Sequence, residues 1–379
     1  MAEILLVSTA GAAAIHFFLF HGKSCRFDVV YFLIMLIIMG FCSRNIDYLP
    51  YEQIYENIRA AAAAGKDIFV LHADKGFVLA NYAGACLDWD YPAFRFWFLA
   101  VPLLLMFHAV KCMGVPVCGF FLLYLAYPFF MDAIQIRNFF IESILFFCVY
   151  LYARGRTQDF IGIFVFLGIA LSLQPLVLAY TPFFLFYELY KREKWRCIPQ
   201  FFVILGLLGI QFRELILEEW IRIGQWLASQ GDVWARAGSY MGRSAADSRF
   251  LKLYAVILLL TILLYYAKRQ IEQESQAQEY ARRFIGVVYQ LYLYTICFFP
   301  LFVLDINFAT RFPRNLLPLA YGAILLFLPY VQVYWRRNAI MLFMLFLAIY
   351  FGLVDLYIGG LRSQVGLILD HNILLDVFP

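Results

Sequence analysis

The chain is a succession of apolar runs joined by short polar links and broken by two long polar stretches. The runs predict helices near 3–20, 28–42, 96–111, 116–133, 138–153, 158–173, 175–190, 199–212, 251–267, 284–304, 315–334 and 339–357. A straight crossing of a bilayer takes about 20 apolar residues. Several of the twelve are shorter than that, and the 175–190 and 199–212 pair is the weakest. The pattern predicts an all-α polytopic membrane protein of about twelve transmembrane helices, one integral membrane domain over 1–379.

The longest polar interruption is 43–95. Within it YEQIYENIRAAAAAG reads as a helix, with good helix formers through Ala60–Ala64 and a stop at Gly65. Tyr51, Tyr55, Ile58 and Ala62 share one helical face. A folded polar insert between membrane helices caps the bundle or lines a site. In the second interruption, 213–250, ELILEEWIRIGQWLA carries a stripe of Ile216, Trp220, Ile223 and Leu227 and is expected to lie flat at the interface. The following SQGDVWARAGSYMGRSAADSR is loop-like and rich in arginine and aromatics. The polar stretch 268–283 reads as a solvated connector.

Charge sets the orientation. One set of alternate joints (21–27, 111–115, 154–157, 191–198, 268–283 and 335–338) holds fifteen Lys and Arg, against four in the opposite short joints and tail. The richer set is cytoplasmic by the positive-inside rule, and long loops translocate largely regardless of charge. Both long loops and both termini are then expected outside.

Composition agrees. The 379 residues are 64% hydrophobic, 20% aromatic and 15% charged, the profile of a membrane protein. The net charge of +4 gives no reason to invoke nucleic acid. Glu3 stands where a signal peptide would carry basic residues, so no removable leader is expected. The eight cysteines are scattered without a CxxC, as small buried apolar residues would be, and only a Cys42–Cys86 pairing suggests a disulfide.

The informative polar residues gather on the outer side. Asp132 and Arg137 stand at a helix junction, with Asn138 and Glu142 just inside the next helix. An ionisable group within a span is a functional candidate; the plainer role is an Arg137–Glu142 or Asp132–Arg137 pair closing the junction. Asp305, Asn307, Arg311 and Arg314 form another short outer loop. Arginine's planar fork matches phosphate oxygens, so Arg137, Arg311 and Arg314 are candidate anion ligands, with lipid phosphates the plainer partner. His16, His21, His72, His108 and His371 lack partners at ligand spacing, and no metal or cofactor is expected. There is no DxD, P-loop, GxGxxG or GxSxG, which argues against nucleotide-sugar, ATPase and serine-hydrolase chemistry.

At these residues the chain resembles the EpsG-like (Wzy-type) polysaccharide polymerase family. The shared features are Asp47, Tyr48, Tyr51 and Tyr55, then DKGFVLAN with Asp74 where the family usually has Glu, then IRNFFIESILFFCVYLYARGR with its junction arginine. Gln174 replaces the family's outer histidine, which removes a His base from that position. The resemblance implies a substrate of oligosaccharide repeats on a polyprenyl pyrophosphate, in the bacterial inner membrane. Expected partners are that glycolipid, membrane lipid and a chain-length regulator. It implies cations for the leaving group, a base for the acceptor hydroxyl and aromatics for sugars. The candidates are Asp47, Asp74, His72 and Glu142 for catalysis, with Glu52 a further possibility for the base. For substrate they are Arg44, Tyr48, Tyr51, Tyr55, Arg137, Arg311, Arg314, Trp234, Arg236, Tyr240 and Arg243. Asp47 has two open roles, base or helix N-cap. A different lipid-linked glycosyltransferase or ligase, a transporter or flippase, and a non-catalytic scaffold are the competing functions.

Overall fold

Proline decides where the apolar runs become continuous helices. The structure, a computed structural model, describes residues 2–20, 28–191, 197–229, 249–304, 306–358 and 362–374. The first helices are α1 (Ala2–Phe20), α2 (Asp28–Gly40), α3 (Tyr48–Ala63), α4 (Lys75–Cys86) and α5 (Tyr91–Cys112). There follow α6 (Val117–Ala126), α7 (Phe129–Ile134), α8 (Ile136–Arg154), α9 (Thr157–Leu173), α10 (Thr181–Tyr190), α11 (Ile198–Gln211) and α12 (Arg213–Ala228). The last are α13 (Arg249–Gln273), α14 (Glu279–Ile296), α15 (Phe299–Leu304), α16 (Ile306–Arg314), α17 (Leu317–Phe327), α18 (Tyr334–Ile358) and α19 (Arg362–Asp370). The run read as 116–133 is split at Pro128, and 284–304 is split just before Pro300. Proline lacks the N–H that would continue the ladder. In 175–190 a short 3₁₀ turn over Pro175–Ala179 leaves α10 only 10 residues.

Among the described residues, six helices are long and apolar enough to cross a membrane, or seven if α11 and α12 act as one bent span. The other apolar helices expected as spans are shorter or broken. α12 turns by 87° from α11, as a surface-lying helix after a span would.

α8 is the hub. It packs against α5, α7, α9, α14 and α17. Every residue of α17 is buried, and a helix apolar all round belongs inside. α1, α9, α11 and α18 instead expose large apolar side chains such as Ile4, Ile161, Leu207 and Phe346. A girdle of this kind suits lipid contact.

The insert folds as two helices over one end of the bundle. α3 ends as its sequence predicts. Gly65 adopts φ +65°, and the N–H groups of Gly65 and Lys66 bond back to Ala62 and Ala61, a paired closure that requires a left-handed residue. Tyr51, Tyr55 and Ile58 form the buried face of α3, which packs on α4 and α5. The insert also turns apolar side chains outward: Ile46, Leu49, Val70, Leu79 and Leu87 are all exposed. Cys42 and Cys86 are free thiols, so the suggested disulfide is absent.

Candidate functional site

Four aspartates of the insert stand at helix starts, and they divide into two kinds. Asp67 accepts from the Phe69 N–H at 2.8 Å and Asp90 from the Ala93 N–H at 2.9 Å, so both cap their helices. Asp47 and Asp74 hold the same position before α3 and α4 but make no side-chain cap bond. Their carboxylates face arginines instead.

Asp74 is ion-paired with Arg137 Nη1. The Arg137 guanidinium lies 5.4 Å from the Tyr51 ring centroid and 5.1 Å from that of Phe77, and its Nε donates to Tyr51 Oη at 3.3 Å. Cation–π contacts of this kind contribute about 0.5–2 kcal/mol each and hold the fork in one plane. His72 Nδ1 accepts from the Asp74 N–H at 3.0 Å, which leaves its proton on Nε2 when the ring is neutral. Neither Asp132 nor Glu142 pairs with Arg137; the junction pair expected from the sequence is replaced by one with Asp74, sixty-three residues away.

Asp47 is half-buried, and its side chain forms no hydrogen bond or ion pair with a described residue. Burial pushes its pKa above 3.8, while the charges of Arg311, Arg137, Arg95 and Arg314 pull it back. Of these, Arg311 comes from α16, more than 200 residues away in the chain from the insert. It is half-buried, lies within electrostatic reach of Tyr51, Asp47 and Arg137, and bonds to no described residue. The site thus brings together a carboxylate and an arginine that each bond to no described residue, with Arg137 within electrostatic reach of both and Tyr51 within reach of Arg311. Such a cluster can hold a diphosphate and accept a proton.

Beneath it lies a closed polar core. Arg314 is fully buried and pairs with Asp355 of α18 at 3.3 Å. It also donates to Gln135, and Tyr127 donates to Asp355. Tyr124 Oη donates to Asp132 at 2.8 Å, and the Asp132 carboxyl faces that of Glu142. Asn138 and Asn315 clasp each other through two hydrogen bonds, each Nδ2 donating to the other's Oδ1, of 2.6 and 3.2 Å. Arg95, also fully buried, donates to the carbonyls of Met39 and Ala133 at 3.2 and 2.6 Å.

The comparisons with known proteins bear on what this arrangement is for. The family model described as EpsG family matches residues 26–364. The chain belongs to the EpsG family. Membership suggests a membrane polysaccharide polymerase and agrees with the multi-pass helical bundle. No curated protein and no solved structure matches the chain.

As a member of the EpsG family, the chain distributes its expected site residues unevenly. Asp47, Asp74, His72, Tyr51, Arg137 and Arg311 come together. Tyr48 lines the same side and its pKa is pushed up to about 12 by burial. Tyr55 is buried and donates to the Trp89 carbonyl at 2.7 Å, so it holds the insert together and is not open to a sugar. Arg44 is exposed. Arg314 and Glu142 correct the sequence reading: both are sealed in the core, where neither an anion nor a hydroxyl reaches them. Trp234, Arg236, Tyr240 and Arg243 lie outside the described residues, as does Asp305. Among the described residues, no three His, Cys, Asp or Glu form a metal-ligand group.

Gly76 explains part of the DKGF element. A Cβ there would sit 2.0 Å from Ser172 Oγ and 2.9 Å from the Ser172 backbone carbon, so only glycine lets α4 approach α9 this closely. That contact sets the height of Asp74 over Arg137. Sequence reading missed Arg95, Gln135 and Asp355. An arginine inside the apolar YPAFRFWF and an aspartate inside FGLVDLYI were the available signals.

Proposed function

We propose that the chain is a polysaccharide polymerase that transfers a growing glycan from a polyprenyl-pyrophosphate carrier to a lipid-linked repeat unit. The observation that carries this reading is the diversion of Asp47 and Asp74 from helix capping toward Arg137 and Arg311. Among the described residues, Arg137 uses only Nε and Nη1, and Arg311 forms no hydrogen bond or ion pair. Together they neutralise the leaving pyrophosphate without a metal.

The step is a displacement at the anomeric carbon. The acceptor hydroxyl oxygen forms the new glycosidic bond, the bond from the anomeric carbon to the pyrophosphate oxygen breaks, and Asp47 takes the hydroxyl proton. A base works best with a pKa nearer the working pH, and the burial of Asp47 moves it that way. Asp74 orients Arg137, and His72 holds the Asp74 backbone. Aromatics of the insert and of 230–248 hold sugars. In the full topology the chain crosses the bacterial inner membrane about twelve times, with 43–95, 213–250 and both termini outside, and a chain-length regulator sets the product size.

The test is the pair Asp47→Asn and Asp47→Ala in cells and with purified protein and lipid-linked repeats. Asn caps a helix about as well as Asp but lacks basicity. Loss of polymer in both variants, at unchanged protein level, is the expected result. An active Asp47→Asn enzyme moves the base to Asp74 or His72. Release of carrier pyrophosphate without glycan growth would point to a ligase instead. Single-cysteine labelling at Gly65 and Gly231 from outside, with Gly155 and Gln276 protected, checks the orientation.

A further inference from the structure

The loop that delivers Asp47 has no regular structure of its own between α2 and α3. Internally it is held by Asn45, whose Oδ1 accepts from the Asp47 N–H at 3.0 Å. Cys42 Sγ donates to the Arg44 carbonyl at 3.4 Å and accepts from Asn45 Nδ2 at 3.5 Å, and the Tyr48 N–H donates to the Asn45 carbonyl at 3.2 Å. Further bonds come from residues 364–373. Cys42 and Asn372 form an antiparallel bridge. It is flanked by Ser43 N–H to His371 O and Ile373 N–H to Phe41 O, both 2.9 Å. Asn372, fully buried, donates to the Ile37 and Ile38 carbonyls at 3.2 and 3.4 Å, where α2 runs out of helical partners. Gln364 Oε1 accepts from the Ile46 N–H at 2.7 Å, one residue before Asp47. α19 itself rests on α1, α2 and α7.

We propose that residues 364–373 are a latch that positions Asp47, with Gln364 and Asn372 as its positioning residues. The proposal rests on Asp47 being the base. Each backbone N–H of the loop that the tail satisfies would otherwise turn to water, and the loop would sample many conformers. A base must stay within about 3 Å of its proton, so loosening costs turnover and leaves donor binding to Arg137 and Arg311 intact. Nearly all of the latch lies past residue 364, where the family match ends.

The bridge supplies its own test. Cys42 and residue 372 form the close type of antiparallel pair, with Cα atoms about 4.5 Å apart, inside the range of a disulfide. Asn372→Cys, in a protein whose other cysteines except Cys42 are serine, loses the two side-chain hydrogen bonds to Ile37 and Ile38 when reduced. Oxidation should form the disulfide, fastening the latch covalently. We expect kcat to fall about tenfold in the reduced protein and to return to within about twofold of wild type on oxidation, with KM for the lipid-linked donor unchanged. Gln364→Ala should lower kcat about fivefold alone and add nothing to Asp47→Asn, because both act through one carboxylate. Failure of the disulfide to form overturns the geometry. A reduced protein as fast as the oxidised one, beside a dead Asp47→Asn, overturns the latch alone. An active Asp47→Asn protein overturns the base assignment and the latch with it.

Discussion

Two arginine–aspartate pairs sit one above the other and have opposite characters. Arg137 and Asp74 keep about a fifth and a sixth of their side-chain surface exposed, at 21% and 16%. Arg314 and Asp355 keep 0% and 2%. The upper pair joins the bundle to the insert and leaves donors free; the lower pair joins helices of the bundle and is walled in by Tyr127 and Gln135. The same two residue types therefore do different work. A buried pair offsets its desolvation only through the bonds around it, and Arg314 uses both Nη1 and Nη2 to tie neighbouring elements together, so it fixes packing. A pair at the rim can exchange partners with a ligand.

That contrast is open to attack. Arg137→Ala should abolish polymer, a loss of about 100-fold or more, with inserted protein at wild-type level. Lys at 137 should recover little of it, since an ammonium has no fork. Arg314→Ala should fail differently, by stranding Asp355 at a cost of about 3–5 kcal/mol, read as lost protein and lowered Tm. If a stable Arg314→Ala protein loses activity alone, the two pairs are not different in kind.

Arg311→Ala sharpens the comparison, because among the described residues this arginine has no bonded partner to strand. It should cost activity heavily, raise KM for the lipid-linked donor and leave Tm unmoved. A fall in Tm would mean that Arg311 is structural. Gly76→Ala should lift α4 from α9 and cost about tenfold in kcat through Arg137; an unchanged kcat would uncouple the DKGF element from the site.

The smallest effect concerns pH. The folded pKa of Asp47 lies above its 3.8 reference. The folded protein therefore binds this proton more readily than the unfolded one. The group's contribution to stability grows as pH falls through the raised pKa and is absent at neutral pH. Activity runs the other way, since the protonated acid accepts nothing. The acid limb of kcat/KM should thus lie above pH 3.8, and Asp47→Asn should be slightly more heat-stable than wild type at neutral pH.

Much of the frame was legible in the chain. Apolar period gave the helices, and the stop at Gly65 and the buried stripe of Tyr51, Tyr55 and Ile58 followed from local rules. Proline was ambiguous: Pro128 breaks a run, whereas Pro102 sits inside a continuous α5. Whether a neighbour repairs the lost hydrogen bond depends on packing, which no window of sequence contains. The candidate site's residue types could be read from the chain, but their pairings could not. Arg137 and Asp74 meet only because α4 docks on α9, and nothing local tells a half-buried arginine such as Arg311 from the fully buried one three residues later.

The outward apolar side chains of the insert have a consequence for how substrate arrives. Ile46, Leu49, Val70, Leu79 and Leu87 give this polar module a greasy exterior, suited to the headgroup layer. On the proposed function, a catalyst held at that depth would meet its lipid-anchored substrate by diffusion in a plane, already oriented with its diphosphate level with Arg137 and Arg311. Encounter would then be governed by how many such lipids occupy each patch of leaflet, and dilution of the surrounding water would not slow it.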